Sequence, residues 1–138
     1  MTKQYNFFTE KEFYAKLSSS EIRSVELSPT LLAHRDELWA RLNIIRQAIG
    51  IPITITSWYR DYAHNKREGG SPTSQHLDGT AVDIKCAQNL KLLAVITKLQ
   101  TEGMDFGQII TYGNTSHIRF IHISLPTRSQ LNQHLNYE

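Results

Sequence analysis

Ser74-Gln75-His76-Leu77-Asp78-Gly79-Thr80-Ala81-Val82-Asp83-Ile84 sets an imidazole and a carboxylate seven residues apart across a glycine. The residues after Gly79 have the β-branched, apolar character of a strand, in which Ala81 and Asp83 share a face. A histidine ahead of a tight turn and an aspartate inside the next strand can converge on one point. Downstream, Ile118-Arg119-Phe120-Ile121-His122-Ile123-Ser124 reads as another strand, with His122 on the face of Ile118, Phe120 and Ser124. Two imidazoles and one carboxylate, with a position left for water, are the usual donor set of a catalytic zinc. Asp83 sharpens that reading. Between Val82 and Ile84 a carboxylate is costly unless it is paired or bound to metal.

The flanking sequence supplies a scaffold. Thr9 and Glu12 have capping-box spacing, so a short helix to about Leu17 is expected, followed by a loop at Ser18-Ser19-Ser20. Ser28-Pro29 starts a long helix whose Leu31, Leu38, Leu42, Ile45 and Ile49 recur at helical spacing until Gly50 ends it. Ile51 to Ser57 alternates as a strand, and residues 60 to 75 form a long polar loop with Gly69, Gly70 and Pro72. Thr80 to Lys85 is the next strand. Gln88 to Glu102 is a helix with Leu92, Leu93, Ile96 and Leu99 inward and Gly103 as its stop. Gln108 to Thr111 and Ile118 to Ser124 are strands joined by Gly113-Asn114-Thr115-Ser116, and the polar tail after Pro126 is expected to hold a last helical turn. Helices packed on one face of a small, mostly antiparallel sheet make the class α+β.

Bulk numbers bound the function. A chain of 138 residues with 40% hydrophobic and 20% charged residues is a single domain, 1–138, with a core of its own and not a disordered chain. A net charge of +2 with scattered Lys and Arg argues against a nucleic-acid partner. The one cysteine, Cys86, has no internal disulfide partner and no neighbour that would activate it. Met1 to Glu10 carries no long apolar run, so neither a secretory signal nor a membrane span is expected.

Ser-x-His-x-x-Gly-x-Ala-x-Asp followed by a strand-borne histidine resembles the zinc D-Ala-D-Ala carboxypeptidase family, within the wider lysostaphin, D-Ala-D-Ala and Hedgehog-type group. The likeness runs upstream through Ile55-Thr56-Ser57-Trp58-Tyr59-Arg60, Asn65 and Gly69-Gly70, and downstream through Phe106-Gly107-Gln108-Ile109-Ile110 to the His122 strand. It covers about residues 28 to 128. The resemblance implies a Zn²⁺ ion on His76, Asp83 and His122 and a metallopeptidase acting on bacterial cell-wall (peptidoglycan) peptides; a monomer is expected, though the sequence does not fix the oligomeric state. It gives Arg60 a role in holding substrate or the transition state, with Ser74 and Gln75 beside it at the substrate. The route to such a target stays open: a cytoplasmic protein, a phage-borne enzyme that leaves the cell by another route, or a chain whose signal has been removed.

Each residue also has a plainer reading. Asp83 could close a salt bridge to Arg60, Ser74 could be a turn residue, and His122 could be a satisfied core histidine. His34, His64 and His134 read as solvated. A hydrolase of this type needs a proton carrier. Many relatives carry Glu three residues before the second histidine or on the preceding strand, where this chain has Arg119 and Tyr112. His117 and Tyr112 are the available substitutes, though a phenol with its ordinary pKa near 10 donates a hydrogen bond better than it accepts a proton. The rival to an active peptidase is a zinc-binding recognition domain of the same fold.

Overall fold

The computed structural model describes residues 7–14, 17–59, 66, 69, 70, 76, 79–114 and 116–138. In chain order these form α1 (Glu10–Phe13), α2 (Ser19–Glu26), α3 (Pro29–Ile49), β1 (Thr54–Ser57), β2 (Ala81–Lys85), α4 (Asn89–Thr101), β3 (Gln108–Asn114), β4 (His117–Ser124) and β5 (Gln133–Tyr137). The five strands make one sheet in the order β1-β2-β4-β3-β5. Every pairing is antiparallel except β3 with β5, so the chain is α+β with a mostly antiparallel sheet.

Local chemistry places the helices. Ser28 caps α3 by accepting from the Leu31 amide at 3.4 Å, Pro29 occupies the first turn, and Gly50 closes it in the left-handed conformation at φ 75°. Leu38, Leu42, Ile45 and Ile49 are its buried stripe, and Leu92 and Ile96 are that of α4. These side chains share one apolar core with Val82, Ile84, Ile109, Ile121 and Ile123 from one face of the sheet. The opposite face is left for chemistry, and Asp83, His122 and Ile110 stand on it.

Three expectations are corrected. Ser18-Ser19-Ser20 does not stay a loop. The Ser18 hydroxyl accepts from the Glu21 amide at 3.3 Å while the Glu21 carboxylate accepts from the Ser18 amide at 3.3 Å, and this reciprocal cap starts α2. The tail after Pro126 does not end in a helical turn. It returns along β3 as β5, anchored where Asn132 Oδ1 accepts from the Phe106 amide at 2.8 Å and the Gln133 amide donates to Gly107 O at 3.0 Å. Ile118 does not share a face with His122. Tyr112 pairs with Phe120 but the adjacent Gly113 pairs with Ile118, so Arg119 is an extra residue that turns Ile118 over into the core. Gly113, at φ 128°, sits where a Cβ would collide with the His117 carbonyl, so the bulged hairpin requires glycine there.

Candidate metal centre

Asp83 and His122 are direct cross-strand partners on β2 and β4, which sets their side chains side by side on one face. His76 arrives from the segment before β2. Its carbonyl accepts from the Gly79 amide at 3.3 Å, and Gly79, at φ 69°, lies against Leu31 of α3, so the turn is packed onto the long helix. The three side chains are almost fully covered, at 3% exposure for His76, 6% for Asp83 and 8% for His122. One ligand atom from each lies within 4.8 Å of the other two, a spacing at which the three could hold a single metal ion.

The hydrogen bonds define the chemistry of the cluster. His76 Nδ1 is 2.7 Å from the carbonyl of Trp58, an acceptor only, so Nδ1 carries the proton. The opposite nitrogen, Nε2, then presents a lone pair to Asp83 Oδ1 at 3.2 Å. Two acceptors face each other across that gap unless a cation lies between them, either a metal ion or the proton of an imidazolium. His122 Nδ1 approaches the same carboxylate oxygen at 2.9 Å. Burial pushes the Asp83 carboxyl up, but the bonds to His122 and His76 outweigh it and hold the group well below the usual carboxylate range. A buried anion flanked by two imidazole nitrogens, one of them oriented from behind by a carbonyl, fits a zinc ion in donor type, number and outer support.

The surroundings separate the remaining candidates. Tyr112 stands on the same sheet face as His122, one register step along: Ile110 faces His122 and Tyr112 faces Phe120. Its ring is stacked on Phe120, with centroids 4.4 Å apart and planes 11° from parallel. His117 is not brought to the cluster. It is exposed at the start of β4, five residues along the strand from His122, roughly 16 Å at ~3.3 Å per residue. There it lines an open cavity of about 520 Å³ with Cys86, Gln88, Asn89, Lys91 and Ser116. Arg119 is exposed on its bulge and donates through Nη2 to Glu138 O at 3.1 Å. Arg60, Ser74 and Gln75, with Asn65 and His64, lie outside the described residues. His134 is not merely solvated, since its Nε2 is 2.6 Å from Gln100 Oε1, and His34 is half-buried beside Gly79.

Sequence reasoning missed Trp58 as a functional position. Its indole is core, but its backbone carbonyl fixes the tautomer of His76, a role that no side-chain pattern announces. The aromatic stack beside His122 was equally unread, although the alternation of Phe120 with His122 carried a hint of it.

No helix among the described residues is long and apolar enough to cross a membrane. No curated protein matches the chain. The family model described as Peptidase M15 matches residues 7–124. The chain therefore belongs to the M15 peptidase family, the zinc D-Ala-D-Ala carboxypeptidase type.

Proposed function

We propose that this protein is a zinc metallopeptidase in which His76, Asp83 and His122 hold the ion, and that it trims short peptides of the bacterial cell wall as a D,D-carboxypeptidase or a related endopeptidase. The observation that carries the reading is the convergence of one ligand atom each from His76, Asp83 and His122, all within 4.8 Å of one another in a buried place. A zinc ion held by His76, Asp83 and His122 would supply Lewis acidity toward a scissile carbonyl and an attacking water near neutral pH.

The chain's own groups do the rest. The Trp58 carbonyl keeps the Nδ1 proton of His76 in place, so Nε2 stays available as a donor atom. Asp83 supplies the negative charge that a dication needs in an apolar setting. Tyr112, which shares a sheet face with His122, is our candidate to donate a hydrogen bond to an oxyanion as a peptide carbonyl turns tetrahedral. From its sequence position Arg60 enters the loop that precedes the motif, and its planar fork suits a substrate carboxylate; Ser74 and Gln75 are the other substrate-binding candidates. Arg60→Lys, which keeps charge but loses the fork, is expected to slow turnover with zinc retained.

The decisive measurement is zinc content together with hydrolysis of a D-Ala-D-Ala-terminated peptide. About one zinc per chain is expected in protein purified without chelator, with most of it lost in His76→Ala and in Asp83→Ala. Full zinc in both variants would remove the triad. The absence of a carboxylate at positions 112 and 119 favours one alternative, a zinc-binding recognition domain. That alternative predicts bound zinc with no hydrolysis.

A further inference from the structure

The family match ends at residue 124, and β5 lies beyond it. The last residues of β5 gather around one residue of β3. Asn136 Nδ2 donates to Thr111 O at 3.2 Å, to Thr111 Oγ1 at 2.7 Å and to Gly113 O at 3.1 Å. Those acceptors flank Tyr112 on both sides. Tyr137 is the register partner of Tyr112 in the parallel pair, and the two rings lie 5.7 Å apart at 44°. From the other neighbouring strand Phe120 stacks on Tyr112 at 4.4 Å. Arg119 reaches across to the Glu138 carbonyl and ties the end of β5 to β4.

This arrangement acts on a residue that shares a sheet face with His122 of the cluster. Tyr112 and His122 are diagonal cross-strand neighbours, a relation that puts Cα atoms ~7–8 Å apart and within reach of an aromatic side chain. A phenol stabilises a developing oxyanion only when its position is fixed beforehand. A tyrosine on an outer strand with nothing beside it would sample several rotamers. Rings on both neighbouring strands remove that freedom, and the Asn136 amide pins the backbone from which the ring rises.

We propose that Tyr137 is a positioning residue that, with Asn136 and Phe120, holds the phenol of Tyr112 toward the His76–Asp83–His122 cluster, so that the strand beyond the family match is part of the site. The consequence for turnover rests on the peptidase reading above. The consequence for the Tyr112 ring does not.

The test uses the full-length, zinc-loaded protein with ¹³C-labelled tyrosine rings, comparing wild type with Tyr137→Ala, Tyr137→Leu and Tyr137→Phe. Ring-flip rates of Tyr112 are read by NMR, and kcat and KM on a D-Ala-D-Ala-terminated peptide are measured beside them. In Tyr137→Ala the Tyr112 ring is expected to flip at least about tenfold faster. In the same variant kcat is expected to fall ~10- to 100-fold, the scale of a slight misplacement, with zinc content and KM little changed. Tyr137→Phe restores both readings, because the ring and not the hydroxyl does the holding. Tyr137→Leu keeps apolar bulk without an aromatic face and serves if the alanine variant fails to fold. Unchanged Tyr112 flip rates in the folded variant overturn the proposal, as do faster flips with unchanged kcat. If zinc-loaded wild type hydrolyses nothing, the peptidase reading falls, and the flip rates alone decide whether Tyr137 positions Tyr112.

Discussion

At the scale of single residues, the question is what replaces a carboxylate. Tyr112→Phe removes one hydroxyl and leaves the stack on Phe120 intact. If the phenol donates to the oxyanion, kcat is expected to drop ~10²- to 10³-fold with zinc and fold retained, measured by steady-state kinetics and metal analysis. Tyr112→Glu is the complementary experiment. It should create hydrolysis in a chain that only binds, and lower it in a chain that already relies on the phenol. The metal candidates were legible because their chemistry is local and unusual: a histidine, a glycine and an aspartate in an otherwise apolar strand leave few bland explanations for Asp83. His117 stands apart from the cluster because each residue along a strand adds about 3.3 Å, so five residues from His122 is a long way in space. The role of Trp58 was invisible because it uses a carbonyl, which every residue has.

At the scale of elements, boundaries followed their chemical punctuation. Pro29 and Gly50 bracket α3 as the sequence suggested, and Ala81–Lys85 forms the strand expected there. Two elements were hidden. The Ser18–Glu21 cap is made of residues that are equally at home in a loop, so α2 depends on reading the pair and not its members. β5 has little apolar alternation, with Gln133, His134 and Asn136 among its five residues, and only pairing with β3 makes it a strand. The bulge at Arg119 escaped for a related reason. Period-two reasoning assumes an unbroken ladder, and one inserted residue reverses every face beyond it. Gly113 makes this testable. Gly113→Ala has to relieve both a φ of 128° and a collision with the His117 carbonyl, and is expected to cost ~1–3 kcal/mol by urea denaturation. A cost below a few tenths of that would mean the hairpin relaxes without strain.

For the whole molecule, the cluster couples metal to stability. Free zinc at a hundredfold excess over its Kd would add about 2.7 kcal/mol, or roughly 10 °C in a chain of this length, and chelation should remove that increment in a thermal melt. His76→Ala should show almost no such shift. Acid adds a second reading. The folded Asp83 carboxyl is held below its ordinary range, so the folded state binds fewer protons than the unfolded chain there. Its contribution is therefore full above the ordinary carboxylate pKa of ~4 and fades as pH falls below it. Urea midpoints of metal-free protein should decline there, and the decline should flatten in Asp83→Asn.

The pairing of β2 with β4 also dictates when the cluster can exist. β3 and β4 are neighbours in sequence and can zip together early, whereas Asp83 meets His122 across 39 residues with all of α4 between them. His76 and Trp58 must then converge from two further points of the chain. Contacts of such long range are made late, after the loop-closure entropy has been met. The ion should therefore find its three donors only on the native side of the folding barrier. Zinc is expected to slow unfolding in stopped-flow denaturant jumps while leaving the refolding rate nearly unchanged. In this chain a bound metal would act as a latch closed after folding rather than as a seed for it.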